Sequence, residues 1–169
     1  MRVPKRKGEE DRRALQPPQD HHLTRDKIAH LKKELEDLEQ HERPEAIKEV
    51  QRTGEMGDFS ENAAYQMAKG RLRRINARIL SITERLKYAI PIEEGSPDGV
   101  IQIGSRVTVE IDGTERIYHI VGAQEVDVSK GRISYTSPLG KTLVGHRAGE
   151  SVVFDSPSGE KIYLVKQMT

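Results

Sequence analysis

Apolar residues recur at helical spacing along most of the first half of the chain. Before residue 57 the repeat consists of Ile28, Leu31, Leu35 and Leu38, at intervals of 3, 4 and 3. After it, intervals alternating between 3 and 4 connect Tyr65, Ala68, Leu72, Ile75, Ile79, Ile82 and Leu86. This spacing is typical of the seam of a coiled coil. Two such seams joined by a short polar stretch predict an antiparallel helical hairpin, with residues 57–62 at its tip.

The ends of the two predicted helices carry recognisable signals. Thr24 is suited to cap the first helix, and the glycine-containing residues 54–57 are suited to end it. Near Pro44 the apolar positions are displaced by about one residue, and proline removes a helical hydrogen bond, so we expect a kink or short break that resets the register. The second helix is predicted to begin within residues 58–62 and to run to about Tyr88.

The pattern changes beyond residues 91–104, a stretch rich in proline and glycine that indicates a linker. Apolar and polar residues then alternate, and Asp112-Gly113 is a strong hairpin-turn signal. The predicted strands cover residues 107–111, 117–121, 133–136, 151–154 and 161–165. A short helix with Pro138 at its first position is predicted before His146. The expected fold is α+β, with a coiled-coil hairpin over residues 23–90 and a small domain with an antiparallel sheet over residues 105–169.

Composition excludes several classes of protein. The chain has no cysteine, which excludes disulfides, thiol catalysis and thiolate metal sites. Its formal net charge is +1, so overall charge indicates neither nucleic acid nor membrane as a partner. Residues 1–22 are charged, contain prolines and have few apolar side chains, which predicts a disordered arm. Because no signal peptide or long apolar run is evident, we expect a cytoplasmic protein without membrane contact, and an intramolecular hairpin favours a monomer.

The predicted tip carries two acids, Asp58 and Glu61, three positions apart. One interpretation is structural: Asp58 accepts a backbone hydrogen bond and Glu61 reaches back, forming a capping box. The other is chemical, because Mg²⁺ prefers oxygen ligands and is often held by one or two carboxylates together with substrate phosphates. Two ligands make a poor closed site. They make a good half of a metal site that another molecule's active centre completes.

The second predicted helix is basic near the tip. Lys69, Arg71, Arg73 and Arg74 lie within a few turns of it. One explanation is a solvated face whose charges pair with acids of the first helix, which is worth little energetically. The other is a functional basic patch, and the local sequence leaves both open.

A family resemblance runs through these motifs. The stretch Gly57-Asp58-Phe59-Ser60-Glu61-Asn62-Ala63-Ala64-Tyr65 resembles the tip motif of the bacterial Gre transcript cleavage factors. Arg43-Pro44-Glu45 matches upstream, and Ile133-Ser134 through Ser137-Pro138-Leu139 with Leu143 resembles the C-terminal signature of the family. The resemblance covers residues 23 to 167. Within the family, Tyr65-Gln66, Lys69, Arg71-Leu72-Arg73 and Ile75 look closer to the GreB branch than to GreA.

The resemblance implies a C-terminal domain that is FKBP-like and a protein that is not itself an enzyme. The head, through Ser137 and Pro138, would dock on bacterial RNA polymerase beside the secondary channel, and the hairpin would pass down that channel. Asp58 and Glu61 would help to hold a Mg²⁺ shared with the polymerase active site, so that backtracked RNA is cut. Ser60 and Asn62 would shape the tip. The 3′ segment of the nascent RNA would contact Lys69, Arg71, Arg73 and Arg74.

Two residues depart from the family pattern, and three other functions compete. Phe59 stands where leucine or arginine is usual, and Ala64 where an acid is common. One rival is a regulator that occupies the polymerase channel without supporting cleavage. Another is a prolyl isomerase, whose aromatic pocket would have to come from Tyr118, Tyr135, Phe154 and Tyr163. A third is a coiled-coil dimeriser, which the glycine-containing tip and Pro44 disfavour.

Overall fold

The computed structural model describes residues 20–55, 63–96, 98–156 and 159–169. They form a helical hairpin and a head built on a five-stranded sheet, so the predicted α+β fold class is confirmed. The first 19 residues of the predicted arm lie outside the described residues. Within the described ranges, no helix combines the length and the apolar character needed to cross a bilayer.

The outgoing arm of the hairpin is a continuous helical rod. It consists of α1 (Arg25–Asp37), a π-helical segment (Leu38–Glu42) and α2 (Arg43–Gly54). Thr24 caps α1 as predicted, because its side chain accepts a hydrogen bond from the N–H of Lys27. The returning arm, α3, covers Ala63–Tyr88, which confirms its predicted end. At about 1.5 Å per residue, its 26 residues extend about 39 Å.

The π-helical segment accounts for the change of register near Pro44. The N–H of Arg43 donates to the carbonyl oxygen of Leu38, five residues back, so this turn holds one residue more than an α-turn. The extra residue shifts the apolar face by one position, and Leu38 and Ala46 are therefore both buried. The predicted reset is confirmed. The expected kink or short break takes the form of this π-helical turn, which interrupts the α-helix without ending the rod and accommodates a residue with no N–H to donate.

The apolar seam forms the core of the hairpin. Leu31, Leu38 and Ala46 of the outgoing arm pack with Ile75 and Ile82 of α3, and none of them is more than 7% exposed. Half-buried side chains surround this seam: Ile28, Leu35, Leu72, Ile79 and Leu86. Full burial of a leucine or isoleucine contributes about 1.5–3 kcal/mol. The seam is therefore the main source of stability for the hairpin.

Two short strands close the base of the hairpin. β1 (His22–Thr24) pairs in parallel with β2 (Ile90–Ile92), and their apolar side chains Leu23 and Ile92 are almost fully buried. This pair corrects two boundaries, since residues 20–22 were assigned to a disordered arm and residues 91–92 to a linker. Strands of three residues are too short to show a period, and Pro91 argues against a strand in sequence terms.

The head is a sheet with strand order β5-β4-β3-β7-β6. Its strands are β3 (Arg106–Ile111), β4 (Thr114–Val121), β5 (Arg132–Ser134), β6 (Ser151–Ser156) and β7 (Gly159–Met168). The pairs β3–β4, β3–β7 and β6–β7 are antiparallel, as predicted. β5 departs from the prediction and runs parallel to β4, because two 3₁₀ turns rather than a hairpin connect them.

The hairpin turn and the short helix that the sequence predicts in the head are both present. Asp112 and Gly113 both have positive φ, 51° and 75°, which the predicted two-residue hairpin turn between β3 and β4 requires. The predicted helix is present as α4 (Pro138–Leu143). The most deeply buried members of the core include Val107, Val109, Ile120, Leu143 and Val165. The core thus lies between α4 and one face of the sheet.

We expect Leu31→Ala to lower the free energy of unfolding by about 2–5 kcal/mol, because it leaves a cavity in a seam where Leu31 is 0% exposed. Leu80→Ala is the matched control, since Leu80 lies on α3 and is 61% exposed. Urea denaturation followed by far-UV circular dichroism measures both changes. Equal losses for the two variants would contradict the assignment of the seam.

Candidate functional site

The acids predicted to act at the tip lie outside the described residues. Asp58, Ser60, Glu61 and Asn62 all fall within the segment 56–62. The structure describes the helix ends on either side of it, Gly54 of α2 and Ala63 of α3. These ends are remote from β1 and β2 along both arms. The roles of the four tip residues, metal binding by Asp58 and Glu61 included, stay predictions.

The predicted basic patch divides into two kinds of side chain. Arg71 makes ion pairs across the hairpin, with Nη1 3.0 Å from Glu49 and Nη2 4.0 Å from Glu45. The Lys69 ammonium lies over the ring of Tyr65, 5.1 Å from its centroid. Arg73 and Arg74 are exposed. In the part of the chain that the structure describes, neither of them makes an ion pair, so no described acid competes with an external anion for these two side chains.

Arg78 of α3 is a basic residue whose charge is paired within the hairpin, as the structural explanation of the basic patch expects. Arg78 makes two hydrogen bonds to Glu34 across the hairpin, 2.6 Å from Nε and 2.9 Å from Nη2. These bonds hold the pKa of Glu34 below its ordinary value and raise that of Arg78. Both side chains are partly exposed, so water screens the pair and its contribution to stability is small. Arg71 belongs with Arg78 in this class.

The predicted docking residues form a compact turn at the start of α4. The Ser137 hydroxyl donates to the carbonyl oxygen of Ser134 over 2.6 Å and accepts from the N–H of Gly140. Pro138 is exposed at the first position of α4. A side chain on Gly140 would collide with the carbonyl oxygen of Ser134, 2.0 Å from its Cβ. Ser137 is therefore a structural cap, and Pro138 presents the exposed surface beside it.

Sequence reasoning missed the junction between the hairpin and the head, which centres on Glu125. This carboxylate is buried in the head, with only 1% of the side chain exposed. It accepts hydrogen bonds from the N–H of Thr24 over 2.6 Å and from its hydroxyl over 2.8 Å. Arg132 of β5 completes the set, with Nη2 2.5 Å away. One head carboxylate thus fixes the start of α1.

Asp20 makes a second set of contacts at the junction. One carboxylate oxygen accepts from the N–H of Ala123 over 2.6 Å, and the other accepts from the N–H of His22 over 3.1 Å. Burial alone would raise the pKa of Asp20, but these hydrogen bonds outweigh it and the pKa is lowered. Gly122 lies so close to β1 that a Cβ would stand 2.1 Å from the carbonyl oxygen of His22. Only glycine permits this approach.

Known families match both the hairpin and the head of this chain. The family model "Transcription elongation factor, N-terminal" matches residues 21–90, and "Transcription elongation factor, GreA/GreB, C-term" matches residues 96–169. The transcription elongation factor GreA of Thermomicrobium roseum is 46% identical over 140 residues, which cover 81% of this chain and 89% of the relative. The GreA protein of Pelobacter propionicus is 39% identical over 147 residues, covering 85% and 92%.

Among solved structures, the GreA factor homolog 1 protein of Thermus thermophilus matches with 33% identity and a TM-score of 0.40, covering 88% of this chain and 97% of that one. The family models and the GreA relatives place the chain in the class of transcription elongation factors. The chain belongs to the GreA/GreB family. The relatives named above are GreA proteins, and a closer relation to GreB stays a prediction.

We expect Asp20→Asn to lower the free energy of unfolding by about 1–3 kcal/mol near neutral pH, since it weakens hydrogen bonds to a charged group. The folded-state pKa of Asp20 lies below the ordinary 3.8, so its charge stabilises the fold above that pH. This contribution disappears as the pH falls through the folded-state pKa. The difference between wild type and variant should therefore shrink on acidification, which denaturant titrations at pH 6 and pH 3 measure.

Asp98→Asn serves as the control for Asp20→Asn, because Asp98 is exposed and, among the described residues, only its backbone carbonyl oxygen accepts a hydrogen bond. It should change the free energy of unfolding little at either pH. A loss for Asp20→Asn that is the same at both pH values would contradict the role given to its carboxylate.

Proposed function

We propose that this protein stimulates the RNA cleavage activity of bacterial RNA polymerase in backtracked elongation complexes. In this proposal the protein supplies residues to the polymerase active site and is not itself an enzyme. The head docks on the polymerase through the surface beside Pro138, and the hairpin passes through the secondary channel. Cleavage leaves a new RNA 3′ end in the active site, so that an arrested complex resumes elongation.

The observation that carries the proposal is the geometry of the hairpin. A 26-residue helix packs along an outgoing rod of similar length, and in the sequence the segment that contains Asp58 and Glu61 connects the two. The apolar seam makes the hairpin stiff, and the strands β1 and β2 anchor its base. A rod of about 39 Å enters a narrow channel that a globular domain cannot enter. Membership of the GreA/GreB family supports the same partner.

The chemistry of the two acids fits a divalent cation shared with the polymerase. Carboxylate oxygens are the ligands that Mg²⁺ prefers, and two of them leave positions open for water and for phosphate. Such an ion activates the attacking water and stabilises the leaving oxygen. Asp58 and Glu61 would orient the ion from one side, while ligands of the polymerase complete its coordination. Ser60 and Asn62 would hold the tip in the shape that presents them.

Contacts with the RNA 3′ segment are assigned chiefly to Arg73 and Arg74. Their exposure and lack of ion pairs in the described residues support this choice. Arg71 and Lys69 contribute less in this proposal, because Glu49 and the ring of Tyr65 already engage them. Phosphate contacts release counterions, so the contribution of the patch should weaken with salt.

The head offers little support for prolyl isomerase activity. Tyr163 is buried in the core, and Phe154 packs edge-on against it with ring centroids 5.9 Å apart. Tyr118 and Tyr135 also pack against this core. Aromatic side chains that an isomerase would use to line a substrate pocket are thus engaged in packing the sheet.

We expect Asp58→Asn and Glu61→Gln each to reduce stimulated cleavage by about 100-fold or more, because each removes a charged ligand of the ion. The measurement is Mg²⁺-dependent shortening of RNA in a stalled, backtracked complex, with and without the protein. Polymerase binding, measured by native gel shift, should stay within about twofold, since the head is unchanged.

Glu55→Gln is the matched control, because Glu55 is an exposed acid at the end of α2. It should support cleavage like the wild type. Wild-type cleavage by both tip variants would refute the shared-ion proposal. Binding by the wild-type protein without any cleavage would instead favour the rival role of a channel-occupying regulator.

The double charge reversal Arg73→Glu and Arg74→Glu should raise the protein concentration needed for half-maximal cleavage about tenfold, because phosphates would be repelled. The shift should diminish as salt is increased. Lys87→Glu, at the opposite end of α3 and also exposed, is the control and should have no such effect. An unchanged concentration dependence for the double variant would identify the patch as a solvated face.

A further inference from the structure

A cleft of 440 Å³ lies where the first turns of α1 face the sheet of the head. Basic and imidazole side chains contribute much of its lining: Lys27, His30, Arg106, His119, Lys130 and Arg132. Arg106 and His119 stand opposite each other on β3 and β4, on the face of the sheet away from the core. The cleft is therefore separate from both the tip and the surface beside Pro138.

Two buried nitrogen atoms in the cleft wall lack hydrogen-bond partners among the described residues. They are Nε of Arg132 and Nε2 of His119. Glu125 holds the Arg132 guanidinium through Nη2, so the unpaired Nε–H is fixed in position rather than free to turn towards solvent. Buried donors are nearly always satisfied in folded proteins. Two unpaired atoms in one cleft indicate that a partner outside the described residues completes their hydrogen bonding.

The charges around these atoms favour an anion. Glu125 is fully occupied by Thr24 and Arg132, and Lys130 lies 3.4 Å from Asp127. Lys27 and Arg106 make no ion pair within the described ranges. Two other acids line the cleft, Asp26 and Glu94, but both are exposed, so solvent and salt screen them. Lys27 and Arg106, whose charges no short contact to a described acid neutralises, thus line the same cleft as the two buried nitrogen atoms.

The state of His119 agrees with this arrangement. Burial lowers its pKa, and the nearby cations Arg106 and Arg132 lower it further. The imidazole is therefore neutral near pH 7 and can present an N–H at Nε2 to an acceptor. An anion in the cleft would offset the positive charges beside the ring.

We propose that this cleft binds a small phosphate-bearing anion, such as pyrophosphate or the polyphosphate group of a nucleotide. Arg106, Arg132 and Lys27 approach from β3, β5 and α1, so a ligand must offer acceptor oxygens in several directions. A tetrahedral phosphate does so, whereas a carboxylate offers two oxygens in one plane. The volume is within the range of small-ligand sites. The inference does not depend on cleavage or on any property of the tip.

Binding would have a mechanical result, because the cleft is formed jointly by hairpin and head. A phosphate that contacts Lys27 on α1 and Arg106 on β3 links the two parts through polar contacts additional to those of Glu125 and Asp20. The anion binds the folded state alone, since unfolding separates these cations. It should therefore raise the thermal midpoint in a concentration-dependent manner.

The test is a titration of the whole protein with inorganic pyrophosphate, at constant ionic strength maintained with chloride. NMR detects the Nε–H resonance of Arg132 and the ring resonances of His119. We expect saturable shifts at both residues and a rise in the pKa of His119. Lys27→Gln and Arg106→Gln should each weaken binding about tenfold, because each removes a charge-assisted hydrogen bond.

Lys161→Gln is the matched control, because Lys161 lies near Asp112 at the other end of β3 and should leave binding unchanged. A parallel titration with a nucleoside triphosphate distinguishes the two sources of phosphate by whether it binds more tightly than pyrophosphate. Shifts no larger than those in chloride alone would overturn the proposal and assign the two nitrogen atoms to water. Equal affinities for Lys27→Gln, Arg106→Gln and Lys161→Gln would also overturn it.

Discussion

The arrangement of the molecule depends on one buried carboxylate. Glu125 accepts hydrogen bonds from the backbone and hydroxyl of Thr24 and from Arg132, and so links the start of the hairpin to the outer strand of the head. A buried charge is tolerated only when donors surround it, and losing one partner from such a set typically costs about 3–5 kcal/mol. Hydrogen bonds are directional, whereas apolar contacts are not. These directional contacts therefore help to fix the direction in which the hairpin leaves the head.

The residues that stabilise the hairpin and its exposed, unpaired arginines lie on different faces of the helices. The inner stripe of leucine and isoleucine provides the stability, and the ion pairs of Arg71 and Arg78 across the flanks add little to it. Among the residues that the structure describes, Arg73 and Arg74 on the same helix take part in neither the seam nor an ion pair. The same helix can therefore both stiffen the hairpin and carry exposed positive charge, because the seam residues and the two arginines lie on different faces.

Periodic local signals in the sequence were sufficient to predict much of the fold. The two helices, the shift of register near Pro44 and the turn at Asp112-Gly113 all follow from spacing and turn chemistry. The contact of Glu125 with Thr24 was not predictable, since it joins residues 101 positions apart and neither belongs to a motif. The sequence also could not show which residues of the basic patch are paired, because their partners lie on the other arm of the hairpin. Glu49 follows the π-helical segment, so whether it reaches Arg71 depends on the extra residue in that turn.

The parallel pairing of β1 with β2 has a consequence for how the finger can vary in length. The two strands are joined through the whole hairpin, which acts as their crossover connection, and so both ends of the coil are held at one level. A single residue gained by one helix would rotate everything beyond it by about 100° against a partner that cannot slide to compensate. Related fingers of different length should therefore differ by whole repeats in both arms, or absorb the odd residue in a wide turn like Leu38–Glu42.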